Sequence, residues 1–158
     1  QCAISAHGKS GLERIANTLR PLEEEGLSLP PQMPVARHAH MVLCSDFLMP
    51  PDELEKLMQR YAALHLRGVL LHVVDPAEDE FPFEGRLEME DSEDDDVMLL
   101  PNAASLRDSY RARMDELKAR LQCLAESAGW FYVRHITREL PYLALMRVYE
   151  GLAYKEHA

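Results

Sequence analysis

His40–Phe47 reads HMVLCSDF. Met41–Cys44 is apolar throughout, Ser45-Asp46 closes the run, and Pro50-Pro51-Asp52-Glu53-Leu54 follows as a helix start. A short apolar run bounded in this way predicts a buried strand leading into a helix. The strand's C-terminal end presents a hydroxyl and a carboxylate, and in open α/β sheets ligands bind outside that end. Asp46 is therefore the leading candidate site residue, with Ser45 beside it. A carboxylate so placed can hold a hard cation directly or through water. Its structural alternative is a cap for the next helix or a loop hydrogen bond.

Working outward, the next helix is predicted over about 51–65. Asp52, Glu53 and Glu55 suit its positive N-terminal end. Leu54, Leu57, Met58, Tyr61, Ala62 and Leu64 form its apolar stripe. Arg67-Gly68 ends it, and Val69–Val74 (VLLHVV) is a second continuous apolar run. Two such runs joined by one amphipathic helix predict a right-handed βαβ unit with parallel strands buried on both faces. The second run stops at Asp75-Pro76-Ala77-Glu78. Asp75 thus occupies the place in its strand that Asp46 occupies in the first, and the two carboxylates could converge. An Asp before Pro more commonly starts a turn.

Towards the N-terminus, Ser10-Gly11-Leu12-Glu13 predicts a capping box and a helix over about 11–25. Ser28–Pro34 holds three prolines and is read as a loop. Towards the C-terminus, residues 75–100 form an acidic insertion, with a β-hairpin predicted from Arg86–Glu90 and Val97–Leu100. A long helix over about 103–127, a strand at Trp130–His135 and a final helix over about 140–154 complete the pattern. The fold class is α/β: a partial Rossmann-like three-layer sandwich of about three parallel strands, helices on both faces and an inserted hairpin.

The net charge is −10, and it is unevenly placed. Between Asp75 and Asp96 there are 12 acidic residues and one basic, Arg86; the rest of the chain holds 15 acidic and 16 basic residues. No broad basic surface is available, so nucleic-acid binding is disfavoured. The acidic stretch suits a solvated loop, or else a basic partner or a cation. No apolar run approaches the length of a membrane span. Three widely spaced cysteines, Cys2, Cys44 and Cys123, point to a reducing compartment, hence the cytoplasm, and not to structural zinc.

Other motifs carry less. His38 and His40 would share one side of a strand, with His72 on the next, but a zinc site needs a further ligand. His72 reads as a core or sheet-face histidine, and Cys44 as packing within the strand. His7-Gly8-Lys9-Ser10 resembles the tail of a phosphate loop, but the first glycine is replaced by Ala3 and no strand precedes it. No Ser/His/Asp order or nucleophile elbow is present.

Several of these residues together resemble the C-terminal half of the DUF58 family, bacterial proteins with a von Willebrand factor A-like domain often encoded beside MoxR-type AAA+ ATPases. They are Ser45-Asp46-Phe47, Asp75-Pro76-Ala77-Glu78, Pro82 with Gly85, Asp91 with Glu93, Tyr110 and Thr137. The likeness covers about residues 10–153. It implies a single domain over 1–158 that lacks its first strands, and a metal-ion-dependent adhesion site holding Mg2+ or Mn2+ in the intact protein. Asp46, with Ser45, matches one part of that site. The rest of such a site is an Asp-x-Ser-x-Ser loop and a Thr from a later loop; the Asp-x-Ser-x-Ser motif is absent from this chain, so this segment alone is expected to hold no metal. The implied strand order leaves Met41–Cys44 at an edge. A second copy, or residues 1–9 or 28–39, is expected to cover it.

The function expected from this reading is a non-enzymatic protein-interaction module, partnering a MoxR-type ATPase in protein maturation or assembly. The alternative is a metal-dependent hydrolase using Asp46 and Asp75. Against it, no nucleophile, paired base and oxyanion group can be assembled from the sequence.

Overall fold

The structure, a computed structural model, describes residues 8–19, 35–83, 87–90, 97–100 and 106–153. In chain order the elements are α1 (Gly8–Leu19), β1 (His40–Ser45), α2 (Pro51–Ala63), β2 (Arg67–Val74), α3 (Pro76–Glu80), β3 (Leu87–Glu90), β4 (Val97–Leu100), α4 (Arg107–Ser127), β5 (Phe131–Ile136) and α5 (Pro141–Ala153). The predicted α/β class and parallel sheet are present. β1, β2 and β5 pair in parallel in the order β1-β2-β5, and β3 and β4 form a separate antiparallel hairpin. Among the described residues, no helix is long and apolar enough to cross a membrane.

Register explains the layers. Leu43, Leu70 and Tyr132 lie side by side across the three strands, and so share one face of the sheet. That face packs on α2 through Leu54, Met58 and Tyr61 and on α4 through Leu121 and Ala125, forming the main core. Leu70 and Leu121 are fully buried, and each such leucine contributes about 2 kcal/mol from removing its side chain from water. Trp130 closes the lower end. Its indole stacks on Tyr61 with ring centroids 6.0 Å apart, and its Nε1–H donates to the Leu66 carbonyl at 2.9 Å.

On the other face Val69, Leu71 and Val133 pack against Val148 and Leu152 of α5. This helix covers β2 and β5. Val42 and Cys44, which pair with Val69 and Leu71 and so point to this same face, remain exposed. The expectation that β1 is buried on both faces, with Cys44 as packing, is therefore corrected: one helix shields two strands, and β1 is the third. The desolvation that remains raises the Cys44 thiol pKa.

Several boundaries shift. α1 begins at Gly8, so Ser10 stands inside the first turn and not at the N-cap. The described part of this helix runs to Leu19, and residues 20–25 of the predicted span lie outside the described residues. The hairpin pairs Leu87–Glu90 with Val97–Leu100, from Leu87 opposite Leu100 to Glu90 opposite Val97. Arg86 and the acidic Asp91–Asp96 lie outside the described residues, as do 1–7 and 28–34 of the segments expected to cover β1. Val35 and Ala39 do pack against the main core. Among the described residues, β1 pairs only with β2.

Candidate functional site

The C-terminal ends of the strands gather most of the residues named from the sequence. β1 ends at Ser45, and the next two residues form a tight corner. The Leu48 N–H donates to Asp46 Oδ1 at 3.2 Å, the Phe47 N–H donates to Ser45 Oγ at 3.1 Å, and Ser45 Oγ–H donates to Asp46 Oδ1 at 3.2 Å. This is the local side-chain-to-backbone bonding that Asp and Ser favour in turns. It leaves Asp46 exposed, and Leu48 beside it is 60% exposed.

The corner is held from beneath. Phe47 adopts a left-handed backbone, φ 57°, and its ring is buried. That conformation costs a non-glycine residue about 1 kcal/mol or more, offset here by burial of the ring. Phe47 meets the imidazole of His72 edge-on, with centroids 5.9 Å apart. His72 is itself buried on β2, and its Nδ1 lies 2.8 Å from the Tyr132 hydroxyl on β5. Burial, reinforced by the Arg134 guanidinium, pushes the His72 pKa down to about 4. His72 is thus neutral near pH 7, a buried sheet-face residue as expected. Burial likewise raises the Tyr132 pKa.

Asp75 has the same position at the end of β2 but another role. It is the N-cap of α3: its Oδ1 accepts the Ala77 N–H at 2.8 Å, while Glu78 Oε2 accepts the Asp75 N–H at 3.3 Å. The Thr137 hydroxyl, just past β5, donates to Asp75 Oδ2 at 3.2 Å. Both carboxylate oxygens of Asp75 are therefore engaged in a capping box and a strand-end tie. Thr137, singled out for its likeness to the family, acquires a physical role here.

Below α3, Lys118 Nζ lies 3.0 Å from Asp79 Oδ1, and Arg134 pairs with the same carboxylate. Burial would raise the Asp79 pKa, but hydrogen bonds from Arg134 and Lys118 outweigh it and hold the carboxyl below its ordinary value. α4 also grips the segment that follows. Arg107 donates to the carbonyls of Phe81 and Phe83 at 3.2 and 3.1 Å, and the Tyr110 ring lies 4.7 Å from that of Phe81. Sequence reading missed the Asp79, Arg134 and Lys118 cluster. Its signal, an i,i+3 pair of Asp115 and Lys118 on one helix, names neither distant partner.

Among the described residues, no three His, Cys, Asp or Glu side chains converge as a metal centre. Ser45 and Asp46 offer adjacent oxygens, but the serine hydroxyl is turned onto the carboxylate. A six-coordinate Mg2+ needs more ligands than this corner supplies, so the described residues do not by themselves fit the ion. His38 and His40, considered together for zinc, do not share a strand face. His38 sits in a left-handed turn before β1, φ 61°.

Comparison with known proteins gives one positive finding. No curated protein matches the chain, and no solved structure does. The family model described as "Protein of unknown function DUF58" matches residues 30–120, which include β1, α2, β2, α3, the hairpin and most of α4. That is more than half of the chain, and it takes in both the Asp46 corner and the Asp75 cap: the chain belongs to the DUF58 family.

Proposed function

We propose that this segment is a non-enzymatic protein-interaction module acting in the cytoplasm, with the Asp46 corner as its contact point. The observation that carries the reading is the contrast within that corner. Its backbone is braced by Ser45, Asp46 and the buried Phe47, yet the Asp46 carboxylate and the Leu48 side chain face solvent. A rigid charge beside an exposed apolar side chain suits recognition of a protein surface at small entropic cost. The partner proposed is a MoxR-type AAA+ ATPase, in protein maturation or assembly. In a longer chain, Ser45 and Asp46 would be two oxygens of a Mg2+ or Mn2+ site completed by other residues.

The alternative hydrolase needs Asp75 as a second catalytic carboxylate. The engagement of both its oxygens by Ala77 and Thr137 weighs against that use. The outer edge of β1, with Val42 exposed beside it, would accept a strand from a second copy.

The test measures capture of a MoxR-type AAA+ ATPase, with Mg2+ and with a chelator, by the wild type and by Asp46→Ala. Capture weakened at least about tenfold by the variant, equivalent to about 1.4 kcal/mol, supports the reading. Equal capture removes Asp46 from the contact. Sedimentation of the chain alone reports separately on pairing at β1.

A further inference from the structure

α5 turns an apolar stripe to solvent. Tyr142, Leu145, Met146 and Tyr149 follow one another at three- and four-residue spacing, so they share one side of the helix. Each is more than half exposed. Other residues seat the helix on the sheet: Ala144 and Val148 are buried, and Val148 and Leu152 meet Val69, Leu71 and Val133. A solvent-facing helix side ordinarily carries polar and charged residues. From Tyr142 to Tyr149 the one charged residue is Arg147, which at about 100° per residue stands on the other flank.

The stripe also has a direction. Gly151 sits close against β5, where an added Cβ would lie 3.2 Å from Phe131 Cβ. The four stripe residues stand roughly 120–180° round the helix from Gly151, on the flank turned away from β5 and towards β1. There the sheet is open: Val42 and Cys44 point to the α5 face and are exposed. Helix flank and strand face thus form one apolar corner. At about 200 Å² for a fully exposed side chain of this size, Val42, Leu143 and the stripe residues present roughly 600 Å² to solvent. That equals the largest apolar patch of a typical monomer, about 300–600 Å². Buried by two copies it would amount to about 1,200 Å², where specific, stable interfaces begin.

The order of residues favours a second copy as the occupant. Tyrosine, leucine, methionine and tyrosine are placed symmetrically about the midpoint between Leu145 and Met146. Two copies of α5 laid antiparallel about a two-fold axis there bring Tyr142 against Tyr149 of the second copy, and Leu145 against Met146 of the second copy. A two-fold interface requires one patch to complement itself in this way. The tyrosine hydroxyls, at the ends of their rings, stay in contact with water.

We infer that α5 is the contact of a homodimer, in which a second copy of this chain lays its α5 antiparallel beside the first, over the open face of β1. The contact is separate from the Asp46 corner. It also makes no use of the backbone edge of β1.

The experiment follows sedimentation of the full chain from about 1 to about 300 µM, the range in which an interface of minimal area dissociates. A monomer–dimer equilibrium is expected. Leu145→Glu should weaken it at least about tenfold, because it places a charge from each copy in an apolar contact. Arg147→Ala, on the other flank, should leave it unchanged. Melting curves verify that the variants fold, and Tyr149→Gln takes the place of Leu145→Glu if that variant does not. A monomer at every concentration overturns the inference and gives the face to a different polypeptide. A dimer that the stripe variant leaves intact overturns it too, and moves the contact elsewhere, such as the edge of β1. Equal weakening by Arg147→Ala has the same force.

Discussion

The two ends of the three-stranded sheet use polar residues in different ways. At the C-terminal end the acidic side chains are largely committed to structure. Asp75 caps α3 and ties to Thr137, Asp79 pairs with Lys118 and Arg134, and Asp46 accepts a backbone N–H within its own turn. At the N-terminal end the polar side chains lie in turns: His65 caps α2 and His38 precedes β1, both with left-handed backbones, and their rings stack beside an open cleft. A strand-end carboxylate is thus no evidence of a site until its hydrogen bonds are counted. Asp46 and Asp75 look alike in sequence, yet Asp46 keeps an exposed carboxylate whereas Asp75 has both oxygens engaged.

That contrast can be broken or sharpened by substitution. The largest effect is expected at the N-terminal end, from Gly68→Ala. A Cβ there would lie 2.2 Å from the Met41 carbonyl oxygen and 2.9 Å from the Trp130 ring. Backbone on one side and a buried indole on the other leave little room to yield, so a loss of about 3 kcal/mol is expected, read from the urea midpoint. A loss below about 1 kcal/mol would mean that β1 is held too loosely to define the cleft.

The next effect lies beneath the Asp46 corner and depends on pH. His72 has its pKa lowered to about 4 when folded, against an ordinary value of about 6.5 in the unfolded chain. Folding therefore favours the neutral imidazole. Its contribution is complete above about pH 6.5, declines as the pH falls towards 4, and levels off below that. The loss across this window approaches about 3 kcal/mol. His72→Gln should flatten that part of the stability profile, and an unchanged profile would show that another group sets it.

Smaller again is Asp75→Ala, expected to cost about 1 kcal/mol through loss of the α3 cap. Faster amide exchange at Ala77 would locate the damage. Smallest is Arg120→Ala. Its contacts with Asp52 at 3.7 Å and Glu55 at 3.6 Å are exposed, and the change in stability should stay within about 0.5 kcal/mol. A larger loss would show that charge at the C-terminal rim stabilises the fold more than solvent screening predicts.

Much of the fold was legible locally. Met41–Cys44 and Val69–Val74 are apolar runs bounded by helix signals, and both are parallel strands. The hairpin was readable from Leu87 and Met89 alternating with charges and from the apolar run Val97–Leu100. Cys44 shows where that legibility stops. Its neighbours in sequence predict burial, but its exposure depends on which strands α5 reaches, and no local pattern encodes that. Likewise His38 and His65 are 27 positions apart in the numbering, and their stacking depends on two turns brought together at the start of β1 and β2.

The sequence by itself determined the class of fold, the parallel strands, the corner at Ser45-Asp46 and the kinship with DUF58, because hydrophobic period, helix starts and turn residues act over a few neighbours. Only the tertiary structure decided which strand-end carboxylate stays exposed, which face of β1 is open, and that histidines from separate turns share a cleft. Those outcomes rest on hydrogen bonds and packing between segments far apart in the chain, whose partners are chosen by the register of the sheet and the reach of the helices laid across it.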